Sequence, residues 1–253
     1  MLSLDYEKYI GLVCNGEINE AIKYRRDIMP RTIYKFYSIM SEDGMCERDQ
    51  LILKTLGRNQ IWCSKIGAFN DPYEGVGYYL NDIDAEMERK WADCLRIASF
   101  TENASSNISM WAYYANNHKG FCVEYDVIEN RFLYDVNYIE FRKSQSDLFM
   151  EAVRKKFLGE STEKEELLIF EKYLTKHISW SNEREYRIIY AIDSNDESGK
   201  CFSCNEIGLK PHKIYAGINC SDKVKNLLTE ISLNLGCGRL RECNISNNEF
   251  KLL

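Results

Sequence analysis

The sequence predicts an α+β fold, a mixed or split antiparallel sheet flanked by helices. Three observations carry this. Short runs rich in β-branched and aromatic residues, such as "TIYKFYS", "LRIASFT" and "HKIYAGI", recur at strand length. Helical patterns, often in pairs, interrupt these runs. Apolar residues make up 45% of the 253 positions, enough to fill a substantial core.

The elements follow in order. Residues 3–28 read as two short helices broken at "CNGEIN", with Pro30 ending the second. They form an N-terminal helical extension, 1–30, ahead of a single α+β domain, 31–253. "TIYKFYS" (32–38) is the first strand. "RDQLILKTLGRNQIWCS" is a helix that stops near Gly57 and then a strand at 60–64. The loop "AFNDPYEG" follows, then a helix over 80–93 and the strand "LRIASFT" (95–101). "SNISMWAYYANNHKG" is a short helix stopping at Gly120, and "FCVEYD" the strand after it. "FLYDVNYIEF" (132–141) reads as one strand. Residues 145–178 read as helical with a break at "LGES", and the strand at 186–190 comes next. "HKIYAGI" (212–218) is a strand. "SDKVKNLLTEISLNLG" is a helix capped by Ser221 and ended near Gly236, before a last strand-like segment.

Composition narrows the function. The net charge is −6, which argues against a large nucleic-acid-tracking surface and leaves room only for a local basic groove. The N-terminal "MLSLDYEKYIGLVCNGEINE" carries acids and no apolar run, so it does not read as a signal peptide. No stretch approaches the roughly 18 apolar residues of a membrane span. The expectation is a cytoplasmic protein with no membrane partner, whose ten cysteines are mostly reduced core thiols. Cys201-Phe-Ser-Cys204 has the spacing of half a zinc ribbon, but Cys220 and Cys237 are lone and supply no second pair. No metal is expected.

Three stretches carry candidate chemistry. In "FNDPYEG", Pro72 fixes its own φ and pushes Asp71 to an extended conformation. The turn is either a structural plug through Phe69 or a rigid loop presenting Asn70, Asp71 or Glu74 to a ligand. In "MWAYYANNHKGFCVEYD", Trp111, Tyr114 and Ala115 share a helical face, a stripe that serves either core or ligand. His118 and Lys119 follow at a polar corner that could meet an anion, and Gly120 lets the backbone turn tightly. In "WSNEREYRIIY" (180–190), Glu183, Glu185 and Arg187 are spaced at period two, so a continuous strand projects them from one face. That face is either solvated and paired across strands or, given the apolar Ile188-Ile189-Tyr190 after it, the lining of a cleft.

Taken together, "IYKFYS", "IWCSKIGAFNDPYEG", "ASFTEN", "MWAYYANNHKGFCVEYD" and "ISWSNEREYRIIY" resemble the bacterial domain catalogued as domain of unknown function 2971. The resemblance runs from about Thr32 to Tyr190. Its layout is in turn similar, more weakly, to ADP-ribosyltransferases, which implies an ADP-ribosyltransferase-like core with a split sheet. It also implies NAD as substrate. By that likeness Glu185 binds the ribose hydroxyl and stabilises the oxocarbenium, Glu183 helps activate the acceptor, and Tyr34 or Lys35 is the early-strand positioning residue. Those enzymes usually place His or Arg there and carry a Ser-Thr-Ser signature, for which "ASFTEN" is only a loose counterpart.

The expected site is one cleft. Glu185 and Glu183 are its catalytic residues, and Tyr34, Lys35, Asn70, Asp71, Trp111, Tyr114, His118, Lys119 and Arg187 bind substrate. The leading expectation is NAD-dependent transfer of ADP-ribose, or NAD cleavage, in a bacterial toxin or phage-defence effector. One alternative is a nuclease or nucleotide hydrolase whose metal is held by Asp71, Glu74, Glu183 and Glu185. The other is a non-catalytic module that binds a nucleotide or a partner.

Overall fold

The computed structural model describes residues 4–69, 71, 74, 86, 89–105, 107–141, 146–193, 198–246 and 249–252. Helices α1 (Tyr6–Cys14) and α2 (Ile18–Asp27) form an N-terminal hairpin. Asp5 caps α1 by accepting from the Lys8 amide. Tyr9, Val13 and Ala21 close the hairpin's own small core, and Leu167 and Leu168 pack against it.

Among the described residues the main sheet has ten strands. Its first part runs β12 (Glu249–Leu252), β11 (Arg241–Ser246), β10 (Leu209–Ala216), β4 (Phe121–Val127) and β1 (Thr32–Tyr37). All these pairings are antiparallel except β10 with β11, so the sheet is mixed, as the sequence predicts. The second part centres on β3 (Leu95–Thr101). One edge of β3 pairs with β8 (Glu185–Ala191) over seven registers, and β8 pairs on with β5 (Leu133–Asp135). The other edge forks. β1 meets it only at Tyr34↔Thr101, and β2 (Gln60–Ser64) only at Ser64↔Ile97, with β9 (Gly199–Ser203) beyond β2. β1 pairs with β4 over six registers and with β3 over one, so the sheet opens between β1 and β3.

The strand alternation sorts the packing. On one side Ile33, Val123, Tyr125 and Ile214 join Leu53 and Leu56 of α3 (Glu47–Gly57) and Val224 and Leu228 of α7 (Asp222–Asn234). Each such buried side chain contributes about 1.5–3 kcal/mol relative to exposure. Ser221 caps α7 by accepting from the Val224 amide. On the other side Tyr34 and Phe36 pack with Trp111 of α4 (Ile108–Tyr114), Cys122 and Tyr215.

Four sequence expectations need correction. The run 132–141 is not one strand. It gives β5 and then β6 (Asn137–Ile139), and β6 leaves the main sheet to pair in parallel with β7 (Thr175–His177). The break falls at Val136, whose amide donates to the Glu185 carbonyl. The helical stretch 145–178 ends early. Helices α5 (Ser146–Phe157) and α6 (Glu163–Phe170) are followed by a 3₁₀ turn, Glu171–Leu174, and then β7. Third, β9 forms where only a cysteine pair had been noted. Fourth, "WSNE" is a 3₁₀ segment, Ile178–Glu183, and the strand starts at Glu185. Between them Arg184 is left-handed at φ 44°, which breaks the period-two spacing. Of the helix expected at 80–93, residues 86 and 89–92 are helical and most of the rest lies outside the described residues.

Candidate functional site

A pocket of about 200 Å³ opens at the fork between β1 and β3. Tyr34, Lys35 and Phe36 line it from β1, and Ser99, Phe100 and Thr101 from β3. Asp71, Glu74, Tyr114, Trp180, Glu183 and Glu185 complete the polar and aromatic wall, and Lys176 reaches it from β7.

Glu183 and Glu185 converge by a route different from a shared strand face. Glu183 ends the 3₁₀ segment, and the left-handed Arg184 swings the chain into β8, where Glu185 is the first residue. The Thr101 hydroxyl donates to the Glu183 carbonyl at 2.7 Å, which ties this corner to the end of β3. Glu185 is fixed at its backbone too, donating to the Tyr138 hydroxyl at 2.8 Å.

The side chains form a buried network of three carboxylates and two cations. Lys176 Nζ lies 2.6 Å from Glu183 Oε2, 3.0 Å from Glu185 Oε2 and 3.1 Å from Glu74 Oε1. Arg187 sits wholly buried behind them. Its Nε donates to Glu185 Oε1 at 2.8 Å, its Nη2 to Glu74 Oε2 at 2.7 Å, and its Nη1 to the Tyr173 carbonyl at 2.5 Å. Tyr114 Oη donates to Glu183 Oε1 at 2.5 Å. The Lys176 ammonium also lies 5.0 Å from the centre of the Trp180 ring.

Charge decides how these groups ionise. Burial works against the carboxylate of Glu185, but Arg187 and Lys176 together outweigh it and hold its pKa down at about 2. Glu74 goes the other way. Burial raises its pKa, the charge on Glu185 adds to the rise, and Arg187 and Lys176 offset only part of it. Two cations balance two carboxylates, and Glu74 is the member pushed toward carrying a proton. Lys176 is raised, because its three carboxylates outweigh the cost of burial. The Tyr114 phenol is raised by burial and by Glu183, so it stays a hydrogen-bond donor. On the opposite wall, burial lowers Lys35, whose Nζ donates to the Ser99 carbonyl at 3.1 Å.

The structure thus brings Tyr34, Lys35, Asp71, Tyr114, Glu183 and Glu185 to one pocket, with Arg187 directly behind it. Asn70 lies outside the described residues. Trp111, His118 and Lys119 are not part of the lining. Trp111 is fully buried, and its Nε1 donates to the Ala104 carbonyl at 2.9 Å. His118 stacks on Trp111 with ring centres 6.2 Å apart. Asn116, Asn117 and His118 are all left-handed, so this corner is a tight backbone turn. Gly120 closes it against β1, where an added Cβ would lie 2.0 Å from the Tyr37 carbonyl oxygen.

Lys176 escaped sequence reasoning because it sat inside a stretch read as helix. The only local signal was the end of apolar helical spacing before "LTKH". Ser99 and Trp180 were also unassigned, and Phe69 was read only as the plug of its turn, though the quoted motifs contain all three.

The carboxylate oxygens bear on metal binding. Lys176 places a positive nitrogen within 3.1 Å of an oxygen of each of Glu74, Glu183 and Glu185, where a divalent ion bridging them would sit. Among the described residues no set of three His, Cys, Asp or Glu side chains is arranged to hold a metal ion. All ten cysteines are free thiols, and burial raises Cys204 of the Cys201–Cys204 pair to about 12. Among the described residues no helix is long and apolar enough to cross a membrane.

Residues 110–188 match the family described as Protein of unknown function (DUF2971), the family that the sequence motifs resemble. The matched segment holds Tyr114, Lys176, Glu183, Glu185 and Arg187, while the β1 and β3 walls of the pocket lie outside it. No curated protein and no solved structure matches the chain.

Proposed function

We propose that the carboxylate pocket of this chain takes NAD and breaks its nicotinamide–ribose bond, passing ADP-ribose to a macromolecular acceptor or to water, in a bacterial toxin or phage-defence effector. The observation that supports this most is the ionised Glu185, held at a pKa of about 2 by Arg187 and Lys176 and facing a pocket with aromatic walls. A carboxylate has about four lone-pair sites; at Glu185, Arg187 Nε donates to Oε1, Lys176 and Arg187 Nη2 share Oε2, and the Ser99 hydroxyl is the fourth donor, the one a ribose hydroxyl would displace. As the glycosidic bond stretches, positive charge develops on the sugar, and a fixed anion stabilises it without reorganising. Glu183, anchored by Tyr114 and Lys176, stands beside it to orient the incoming nucleophile. Tyr34 and Trp180 offer ring faces for the nicotinamide.

A metal-dependent nuclease or hydrolase reading ranks below this one, because it needs the carboxylate oxygens that Lys176 and Arg187 already engage. A module that binds a nucleotide without turnover shares the pocket and differs only in outcome. The test is to incubate the protein with labelled NAD and cell lysate, following nicotinamide release and label on protein, RNA or DNA. Release that falls roughly 100- to 1000-fold in Glu185→Gln, with the fold retained, is the expected result. Absence of both release and label transfer in the wild-type protein overturns the enzyme reading.

A further inference from the structure

The carboxylate pocket, at about 200 Å³, is below the roughly 300–1,000 Å³ usual for ligand sites, so it is too small for a whole dinucleotide. A second cavity of about 420 Å³ adjoins it, and Lys35, Phe69 and Ser99 line both. The two differ in charge. The first carries Asp71, Glu74, Glu183 and Glu185 against Lys176, whereas the described lining of the second has Arg48 and no acid; Lys35 is common to both.

The second cavity also contains a fixed aromatic plate. Trp62 of β2 is 44% exposed, high for the largest side chain in a strand. Its diagonal neighbour across the β2–β9 ladder is Gly199, and an added Cβ at Gly199 would lie 2.3 Å from Trp62 Cζ2. The indole therefore lies over bare backbone, with one part pressed on β9 and the rest turned to the cavity. Leu51 and Ile52 of α3 and Tyr37 of β1 supply apolar walls around it.

We propose that this second cavity is the seat of a purine nucleoside 5′-phosphate group, the base stacked on Trp62 and the phosphate drawn by Arg48 and Lys35. An aromatic platform flanked by cations is the arrangement that a base and its phosphate require. Joined to the acidic pocket through Lys35, the cavity accommodates the adenylate half of NAD while the nicotinamide riboside half faces Glu185. That joint assignment rests on the NAD reading above; binding of a nucleoside monophosphate to the cavity does not.

The experiment is calorimetric titration of the full chain with AMP, adenosine and nicotinamide riboside, beside an NAD turnover assay. AMP should bind. Trp62→Ala should weaken it roughly 10- to 100-fold, the range of one base–aromatic stacking contact, and Trp62→Phe should recover most of the loss. Arg48→Ala should weaken AMP but not adenosine, and neither change should move nicotinamide riboside. The Phe variant and a melting curve separate lost stacking from lost folding. AMP that fails to bind at millimolar concentration, or binds equally in Trp62→Ala, overturns the assignment. AMP binding through Trp62 without NAD turnover upholds the cavity and defeats the NAD reading. Turnover with an unchanged KM for NAD in Trp62→Ala does the reverse.

Discussion

Replacing Lys176 with Met removes the ammonium and keeps the bulk of the stem. Its Nζ lies 2.6, 3.0 and 3.1 Å from oxygens of Glu183, Glu185 and Glu74, so the change leaves three buried carboxyls with Arg187 alone. At an effective dielectric of about 20, one charge pair 4 Å apart is worth roughly 4 kcal/mol. Breaking a buried ion pair on one side costs about 3–5 kcal/mol, because the stranded charge stays buried. For a chain of this length, 1 kcal/mol moves Tm by about 2–4 °C, so Tm at neutral pH should fall by on the order of 10 °C. The sign of the pH dependence is fixed by the charge. Without Lys176, Glu74, whose pKa burial already raises, loses one of the two cations that lower it, so the folded variant binds more protons than its unfolded chain. Its stability is retained below the unfolded carboxyl pKa and lost as pH rises through the folded one. The deficit relative to wild type should therefore be small near pH 5 and large near pH 8. Thermal unfolding followed by circular dichroism at both values measures it. An equal deficit at both pH values, or none at pH 8, would refute the buried-network argument and leave Lys176 a solvated side chain.

The wild-type protein should lose stability as pH falls from about 4.5 toward 2. Glu185 is depressed to about 2 in the fold, so its stabilisation is present above the unfolded value and amounts to about 3 kcal/mol; an Arg187→Met variant, titrated in parallel, should lose this acid limb. Cys63 and Cys204, both buried and pushed up to about 12 by burial, should resist a thiol reagent at pH 8 in the native state and react only on unfolding. Elemental analysis of the same preparation should find no stoichiometric zinc; one zinc lost in Cys201→Ser would reverse that expectation. Gly120→Ala should lower Tm markedly, because its Cβ would lie 2.0 Å from the Tyr37 carbonyl oxygen, and an unchanged Tm would show that the corner relaxes.

Much of the frame was legible because it depends on local periodicity. β1, β3, β4 and α7 follow from alternation, spacing and the Ser221 cap. Glu183 and Glu185 lie in or beside a readable run, whereas Tyr34 and Lys35 were named only through the likeness to ADP-ribosyltransferases; all four line one pocket. The route from Glu183 to Glu185 was not legible. Arg184 is left-handed without being Gly or Asn, so nothing in its side chain announces the turn; the Thr101 hydroxyl and the Tyr138 hydroxyl hold it from distant segments. Lys176 shows the same limit. Its strand is three residues long and pairs with β6, and no window of sequence contains both partners. Trp111 was legible as part of a helical stripe, but the stripe alone did not tell that Tyr114 lines the pocket while Trp111 packs with Phe36, Cys122 and Tyr215.

Arg25 of α2 carries a consequence for how such chains diversify. Its buried guanidinium donates to Asp135 Oδ1 at 2.8 Å and to Glu171 Oε1 at 2.5 Å, and Tyr6 and Tyr9 add their hydroxyls to Glu171. Asp135 ends β5, the neighbour of β8, and Glu171 opens the turn whose Tyr173 carbonyl holds Arg187. Shedding the hairpin would strand two acids against the strands that carry the site. A lineage that lost it would have to neutralise both acids first, so positions 25, 135 and 171 should covary, and acids at 135 and 171 together should mark the relatives that retain the hairpin.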